Sequence, residues 1–306
     1  MSSFCVIGSI NMDLVAQVDR FPRPGETLSG SHFGTYPGGK GANQAVALAR
    51  LGAPVSMLGK LGDDVFGDSY SRSFAAEGVG TGEIEVVPAT STGVAVIEVD
   101  AKGENHIVIV AGANGLVDPA YVDAHFAAVS RAGAALFQLE IPFETVIHAM
   151  RRAAEAGVQT ILDPAPAPPE GLPPEMLAGA DIITPNESAA ETLTGIAVTD
   201  RQSAAEAGGK LREAGASSVI IKSGAAGAYV VDEAGTRLIP GFSVEVADTT
   251  AAGDAFNAGL ASALGEGLSL DEAVRRANAV GAMACTGLGA QSAMPDRDAV
   301  ERLLAG

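Results

Sequence analysis

The sequence predicts an α/β fold with a mostly parallel central sheet, helices on both faces of that sheet, and a separate small β-sheet. Short apolar runs alternate with helical patterns through most of the chain, and strands that alternate with helices pair in parallel. Two stretches, 13–37 and 92–111, instead show polar–apolar alternation with no helix between their strands. After residue 241 the pattern becomes helical. We therefore expect one domain over residues 1–306, in which about 13–37 and 92–111 form a small sheet that covers an active site or pairs with a second subunit.

The predicted elements follow from these patterns and from the turn residues that bound them. Strands of the main sheet are predicted at 4–10, 55–60, 135–140, 160–163, 181–185 and 218–223. Helices are predicted at 42–51, 68–77, 142–156, 188–194, 203–214, 252–264, 270–286 and 296–304. Strands of the small sheet are predicted at 14–18, 26–33, 94–100 and 106–110, with Lys102-Gly103 as the hairpin turn between the last two.

The composition limits the kinds of partner. The 306 residues carry a formal net charge of −18, so the surface disfavours nucleic acid and anionic membranes. A site for an anionic ligand would have to be locally electropositive through backbone N–H groups, a few lysines or a metal. The two cysteines, Cys5 and Cys285, lie in apolar stretches, which predicts free thiols and a reducing, cytoplasmic location. We expect neither a signal peptide nor a membrane-spanning segment.

The segment 248–256, DTTAAGDAF, combines an anion-binding turn with a carboxylate, the groups that a group-transfer reaction requires. A turn of small residues that opens a helix leaves N–H groups free, and together with the helix dipole these form an anion site. We predict that Ala251, Ala252 and Gly253 offer N–H groups to a transferring phosphoryl and that Asp254 accepts the proton of the attacking hydroxyl. An ordinary capped helix would show the same local pattern.

Two further segments offer groups for a hydroxylated ligand. In 37–44, PGGKGANQ, two glycines before Lys40 let the backbone approach a ligand, and Asn43 both donates and accepts; the spacing of a Walker A loop is absent. Asn11 and Asp13 stand two residues apart in extended chain and therefore face the same way. The alternative for 37–44 is a flexible glycine turn, and the alternative for Asn11 and Asp13 is a simple strand-end turn.

Polar groups also follow the predicted strands at Glu140, Asp163, Asn186 and Glu187, where open α/β sheets bind ligands. The turn at 222–227 follows another apolar strand and resembles a nucleotide-binding turn. The four histidines are dispersed without metal-ligand spacing, which disfavours zinc chemistry, and no G-x-S-x-G hydrolase motif is present.

A series of motifs spans nearly the whole chain in order. They are GSINMD at 8–13, PRPGET at 22–27, PGGKGANQA at 37–45, GAN at 112–114, DPAPA at 163–167, ITPNE at 183–187 and DTTAAGDAFNAGL at 248–260. Together these motifs resemble the PfkB family of carbohydrate kinases, for which the first and last are highly specific. GGKGAN together with Asn11 and Asp13 points within that family to the ribokinases.

The resemblance implies a three-layer α/β/α ribokinase-like domain whose small β-sheet lid also forms a homodimer interface. It implies ATP-dependent phosphorylation of the 5-hydroxyl of D-ribose, with Asp254 as general base and a backbone anion hole at 251–253. The residues implied for ribose binding are Asn11, Asp13, Gly39, Lys40, Asn43 and Glu140, together with Asp254. The residues implied for nucleotide binding are Asn186, Lys222, Ser223, Gly224, Gly227, Gly253 and Asn278.

The resemblance also implies Mg²⁺ with ATP and activation by a monovalent cation, usually K⁺. The positions that match the monovalent cation site are Asp248, Thr250, Ala284, Gly287 and Gly289, mostly through backbone carbonyls. One departure concerns the family's Asn-x-x-Glu motif, because Ala189 stands where the Glu that helps position Mg²⁺ is usual. Glu187 and Glu191 each lie two residues from position 189, about 200° round a helix, and are expected to face elsewhere. We therefore expect a slower enzyme or an unusual Mg²⁺ dependence.

Two alternatives stay open on the sequence. The chain could phosphorylate another sugar or a nucleoside, because one sequence does not define the shape of the pocket. It could also be a sugar-binding protein that has lost catalysis, with Ala189 as the trace of that loss. The intact Asp254 and its anion hole favour an enzyme.

Overall fold

A computed structural model describes residues 2–306. In chain order the strands are β1 (Phe4–Ile7), β2 (Asn11–Gln17), β3 (His32–Gly38), β4 (Val55–Leu58), β5 (Lys60–Gly62), β6 (Glu85–Val87), β7 (Gly93–Val99), β8 (Asn105–Val110), β9 (Ala134–Phe137), β10 (Gln159–Leu162), β11 (Ile182–Ile183), β12 (Ser218–Lys222), β13 (Gly227–Asp232) and β14 (Gly235–Pro240). The helices are α1 (Lys40–Arg50), α2 (Val65–Glu77), α3 (Pro119–Ala124), α4 (Phe126–Ser130), α5 (Phe143–Glu155), α6 (Pro174–Ala178), α7 (Glu187–Thr194), α8 (Arg201–Glu213), α9 (Ala252–Gly265), α10 (Leu270–Ala284) and α11 (Arg297–Ala305).

The main sheet has eight strands in the order β14-β13-β12-β11-β10-β9-β1-β4. The six strands from β12 to β4 are parallel, whereas β13 and β14 add an antiparallel edge. Side chains of β1 alternate between two buried clusters: Phe4 and Val6 pack with helices α1, α9 and α10 on one face, and Cys5 and Ile7 pack with α5 and α8 on the other. Helices on both faces bury the parallel strands, which confirms the predicted α/β fold.

A second, four-stranded sheet, called here the small sheet, has the order β3-β2-β7-β8. Its strands come from the two stretches in which the helix–strand alternation breaks. The central pair β2–β7 is parallel and the two outer pairs are antiparallel. Asn11 at the start of β2 pairs with Gly38 and with Gly93, so this end of the small sheet lies directly beside the end of β1.

The structure corrects several predicted boundaries. The strand predicted at 26–33 is wrong, because the paired strand is β3, which begins at His32 and follows β2 residue by residue. Before it, Glu26 accepts hydrogen bonds from Arg20 and from the N–H of Arg23, so the start of the segment bonds locally, and contact with β2 begins only at Ser31, whose N–H donates to the Gln17 carbonyl. The strand predicted at 4–10 ends at Ile7. The hairpin β13–β14 was not predicted; its strands form a third break in the alternation of strands and helices.

Within residues 2–306, none of the helices has both the length and the apolar character that crossing a lipid bilayer would require.

Candidate active site

A cavity of about 920 Å³ opens where the main sheet meets the small sheet. Its floor includes polar residues that follow β9, β10 and β11 or end β12, namely Glu140, Asp163, Asn186 and Lys222. Apolar side chains of β7 and β8 in the small sheet line its other side: Ala95, Ile97, Ile107 and Ile109. The cavity therefore lies at the carboxyl edge of a parallel sheet, where ligands of open α/β folds bind.

One end of the cavity is a buried polar network around Asn11. The Asn11 side chain is 2 % exposed; its Nδ2 lies 3.5 Å from Glu140 Oε2, and its Oδ1 accepts a bond of 2.7 Å from Asn114 Nδ2. Asn114 also exchanges hydrogen bonds with the backbone of Ile10, which orients both amides. The Lys40 N–H donates to the same Glu140 oxygen over 3.1 Å. These contacts hold Asn11 and Glu140 with little freedom.

Asp254 lies at the base of the cavity, in the first turn of α9, and is 4 % exposed. Its two carboxylate oxygens accept hydrogen bonds from Asn43 Nδ2 over 2.9 Å and from Gln44 Nε2 over 3.2 Å. The Gln44 amide is oriented in turn by Gln138, whose Nε2 donates to Gln44 Oε1 over 2.8 Å. Helix α1 thus presents two successive side chains that fix the Asp254 carboxylate.

The cavity concentrates carboxyl groups, and the pKa values of two of them, Asp254 and Asp13, are raised. Burial raises the pKa of Asp254 to about 6; the Lys40 ammonium opposes the rise, and the Asp163 carboxylate adds to it. Burial, together with Glu140 and Asp254, raises the pKa of Asp13 to about 7. Burial lowers the pKa of Lys40, but Asp254, Asp163 and Glu140 outweigh it and raise that pKa above its usual value. Lys40 is therefore a cation at neutral pH.

The start of α9 offers free N–H groups. Ala251 has φ +58°, a left-handed conformation that is uncommon for residues other than glycine. This conformation forms a turn in which the Ala252 N–H donates to the Thr249 carbonyl over 3.2 Å. Gly253 and Asp254 find no backbone acceptor for their N–H groups among residues 2–306. Of the three predicted donors, Ala252 bonds within the turn, whereas the N–H groups of Ala251 and Gly253, like that of Asp254, have no backbone acceptor among the described residues.

Most of the residues predicted for the site line this one cavity. They are Asn11, Asp13, Gly39, Lys40, Asn43, Glu140, Asn186, Lys222, Gly224, Gly227, Thr250, Ala251, Ala252, Gly253, Asp254 and Asn278. The others named for ligands do not line it: Ser223, Asp248, Ala284, Gly287 and Gly289. Ser223 is 7 % exposed, so its side chain points into the protein.

Comparison with known proteins identifies the family to which this chain belongs. The family description "pfkB family carbohydrate kinase" matches residues 1–297. The chain belongs to the PfkB family of carbohydrate kinases.

Relatives of this PfkB kinase include sugar kinases of two kinds. It is 44 % identical to a ribokinase from Haemophilus influenzae over 292 residues, which cover 95 % of each chain. It is 37 % identical to a deoxyribokinase from Salmonella typhimurium over 290 residues, which cover 95 % of this chain and 94 % of the relative. Among solved structures, the Arabidopsis thaliana ribokinase complexed with ribose and ATP has a TM-score of 0.94 and 34 % identity, and the match covers 100 % of this chain and 99 % of that one.

Helix α7 of the kinase corrects one prediction about the missing Glu. Glu187 was expected to face away from the cavity, but residue 187 is one of the lining residues, together with Asn186 and Ser188. Residues 187 and 189 both belong to α7 and lie about 200° apart round the helix, and it is Ala189 that does not line the cavity. Ala189 is 7 % exposed, and its N–H donates to the Asn186 side chain over 2.7 Å as part of the helix cap. Position 187 therefore lies at this wall of the cavity, and position 189 does not.

The predicted positions for a monovalent cation lie in the loop before α9, at the last residue of α10 and in the loop that follows α10, and hydrogen bonds join these segments. Asp248 accepts hydrogen bonds from the Thr250 N–H and hydroxyl and, over 2.8 Å, from the Gly289 N–H. The Ala247 N–H donates to the Cys285 carbonyl over 2.8 Å. In the part of the chain that the structure describes, the carbonyls of Ala284, Gly287 and Gly289 accept no hydrogen bond. These unpaired carbonyl oxygens are the kind of ligand that a large, weakly hydrated cation takes.

Sequence reasoning assigned no role to several residues that build the site. Asn114, Gln44 and Gln138 hold the ligand-facing groups, and Gln291 donates to Asn43 Oδ1 over 3.2 Å. Two of them, Asn114 and Gln44, fall inside quoted motifs, which was the available signal. Gln138 and Gln291 stand in no motif, and only the fold brings them to the site.

Proposed function

We propose that this PfkB kinase is an ATP-dependent ribokinase that phosphorylates the 5-hydroxyl of D-ribose. The observation that carries the proposal is the buried Asp254 carboxylate, held by Asn43 and Gln44 beside the free N–H groups at the start of α9. A base and an anion-binding helix start at one point are what transfer of a phosphoryl group to an alcohol requires. The ribokinase relatives and the Arabidopsis complex with ribose and ATP support the choice of substrates.

In the proposed mechanism, Asn11, Asp13, Lys40 and Glu140 hold the sugar so that its primary hydroxyl faces Asp254. Asp254 accepts the hydroxyl proton as the sugar oxygen forms its bond to the γ-phosphorus and the bond to the ADP oxygen breaks. The N–H groups of Gly253 and Asp254 stabilise the charge on the moving phosphoryl. No covalent intermediate with the protein is involved. The nucleotide lies along Asn186, the turn 222–227 and Asn278.

The proposed cofactors are Mg²⁺, which neutralises phosphate charge when it accompanies ATP, and a monovalent cation, K⁺. No group of three or more His, Cys, Asp or Glu side chains within residues 2–306 is placed to hold a metal. That fits Mg²⁺, which binds through one or two carboxylates plus substrate phosphates, and Glu187 is the carboxylate at that wall. The unpaired carbonyls of Ala284, Gly287 and Gly289 beside Asp248 fit K⁺.

The proposal includes a single domain over residues 1–306, a lid role for the small sheet, and a homodimer. The strand alternation that turns Ile107 and Ile109 toward the cavity turns Val96 and Val108 to the opposite face, where they are 42 % and 62 % exposed. Phe33 is 65 % exposed on the same sheet. An apolar sheet face of this kind favours a partner, here a second copy. The free thiols of Cys5 and Cys285 fit a cytoplasmic location.

The test is an ADP-release assay with ATP, Mg²⁺ and K⁺ against ribose, deoxyribose, fructose, adenosine and no sugar. We expect ADP release that depends on ribose and exceeds that with every other acceptor. A preference for deoxyribose would indicate that this kinase has the activity named for the Salmonella relative, a deoxyribokinase. Folded protein that binds ribose but releases no ADP with any acceptor would contradict the proposal and favour a sugar-binding protein.

We predict an acidic limb in the pH dependence of kcat/KM for ribose. The pKa values of Asp254 (about 6) and Asp13 (about 7) are both raised, so each carboxyl takes up a proton as the pH falls through that value. A protonated Asp254 cannot act as a base. Activity should therefore be nearly complete at about pH 8, fall as the pH passes through 7, and fall more steeply below pH 6, where Asp254 is also protonated. A rate that stays constant from pH 8 down to pH 5 would contradict the assignment of Asp254.

We predict that Glu187 replaces the usual Glu in the response to Mg²⁺. Glu187→Gln should raise several-fold the Mg²⁺ concentration that gives half-maximal activity, because it removes the carboxylate at this wall. Ala189→Glu should lower it. Glu191→Gln is the matched control, since Glu191 is on the same helix but does not line the cavity. Equal Mg²⁺ titrations for all four proteins would show that neither position matters.

A further inference from the structure

Lys222 forms a buried ion pair at the junction of two strand ends. Its Nζ lies 3.1 Å from Asp163 Oδ1, and the two side chains are only 13 % and 5 % exposed. Asp163 follows β10 and Lys222 ends β12, with β11 between them. Both residues line the cavity. Burying two charges costs several kcal/mol per ion, so a pair in this position needs a reason beyond stability.

The Lys222 ammonium also touches the start of α9. A methyl group placed on Gly253 would lie 3.3 Å from Lys222 Nζ, so the ammonium sits against the Gly253 backbone. There the N–H groups of Gly253 and Asp254 have no backbone acceptor. An ammonium has three N–H donors, and within residues 2–306 only Asp163 accepts from this one. Two donors therefore remain for a ligand at the same point as the free backbone N–H groups.

The charge balance of the cavity favours the same role. Five carboxyl groups line it, those of Asp13, Glu140, Asp163, Glu187 and Asp254, against two ammonium groups, those of Lys40 and Lys222. The Lys40 N–H bonds Glu140, and its ammonium acts on Asp254, Asp163 and Glu140. Lys222 is the cation that lies against the start of α9.

We propose that Lys222 contacts the transferring phosphoryl group and that Asp163 is the residue that positions it. The inference rests on the proposed kinase function. As the bond between the γ-phosphorus and the ADP oxygen breaks and the sugar oxygen binds phosphorus, the Lys222 ammonium donates to the phosphoryl oxygens and keeps its own protons. The proton of the sugar hydroxyl goes to Asp254. Without Asp163, the Lys222 ammonium would lose the hydrogen-bond acceptor that holds it in position.

Asp163 also connects this lysine to the base. Gln44 Nε2, which donates to Asp254 over 3.2 Å, lies 3.5 Å from the second Asp163 oxygen. The Asp163 carboxylate raises the pKa of Asp254. Asp163→Asn should therefore lower the pH at which the acidic limb of kcat/KM falls, a shift that a merely structural brace would not cause.

The test compares Lys222→Met, Asp163→Asn and the double variant. Lys222→Met should lower kcat by roughly 10²–10³-fold, the usual loss for one donor to a transition-state oxyanion. The double variant removes both charges and should regain the thermal stability that a lone buried carboxylate costs, but not the rate. ADP with aluminium fluoride and ribose mimics the transferring phosphoryl, and calorimetry should show a larger affinity loss for that mixture than for ADP alone.

The matched control is Lys60→Met with Glu85→Gln. This pair has the same 3.1 Å separation and a lysine side chain 12 % exposed, but it does not line the cavity. It should leave kcat unchanged. The Asp163→Asn, Lys222→Met double variant could instead keep the wild-type kcat and the wild-type affinity for the aluminium fluoride mixture. That result would overturn the role of Lys222 and leave the kinase proposal intact. Absence of sugar-dependent ADP release from the wild-type protein would overturn the kinase proposal as well.

Discussion

Replacing Asp254 by Asn should reduce kcat by roughly 10²–10⁴-fold, the usual contribution of a positioned general base. An amide of almost the same size occupies the site but cannot take the proton of the sugar hydroxyl. Ribose binding, measured by calorimetry, should change far less, because the main ligands proposed for the sugar are Asn11, Asp13 and Glu140. The measurement is single-turnover phosphorylation at saturating ATP and ribose.

Two further variants separate loss of the base from loss of structure. Asp254→Ala should be equally slow but less stable, because it leaves Asn43 Nδ2 without its acceptor, at about 1–3 kcal/mol, and leaves Gln44 Nε2 only the 3.5 Å contact with Asp163. Asp298→Asn is the control, since Asp298 is also an acidic residue in the first turn of a helix and lies outside the cavity. Turnover retained by Asp254→Asn would rule Asp254 out as the base.

Asp13→Ala should reduce kcat/KM for ribose while making the protein more stable. Asp13 accepts no hydrogen bond from any side chain or loop backbone group in the described chain, although it faces Glu140 and Asp254. Two ribose hydroxyls that donate to this carboxylate would contribute about 3–6 kcal/mol in total, so the loss should be roughly 10²–10⁴-fold. The measurement is steady-state kinetics with ribose varied.

The sign of the stability change follows from the pKa of Asp13. That pKa is raised in the folded protein to about 7, so the charged form is less favourable in the fold than in the unfolded chain. The stability gain of Asp13→Ala should therefore grow as the pH rises from the unfolded-state pKa of about 4 toward 7 and level off above 7. Thermal unfolding of both proteins at pH 5 and pH 8 measures it. A variant that binds ribose normally would show that Asp13 is not a ligand of the sugar.

Features governed by neighbouring residues were predictable from the sequence. The alternation of apolar runs with helical periods identified the α/β class, because burial on both faces imposes those patterns along the chain itself. Asp254 and its helix start were predictable for the same reason, since a small-residue turn, free N–H groups and a first-turn carboxylate all lie within 251–254. The position of Glu140 and Asn186 at one sheet edge followed from the rule that parallel strands end together.

Strand boundaries in the small sheet were less predictable. The segment 26–33 alternates like a strand, but β3 is defined by its register with β2, in which Gly38 pairs with Asn11 and His32 with Gln17. That register depends on pairing between segments far apart in the chain. The hairpin β13–β14 was missed for a related reason, because its residues lie at the sheet edge, where burial imposes a weaker pattern.

By itself, the sequence determined the fold class, the helix that carries Asp254, and the set of polar groups at the carboxyl edge of the sheet. Only the tertiary structure decided how those groups pair. It placed Gln44 between Asp254 and Asp163, joined Asp163 to Lys222 across 59 residues, and brought residue 187 to the cavity wall. The physical reason is that hydrogen bonds and charge pairs act over a few ångströms, and the distances between these side chains are set by the packing of α1, α9 and the strand ends.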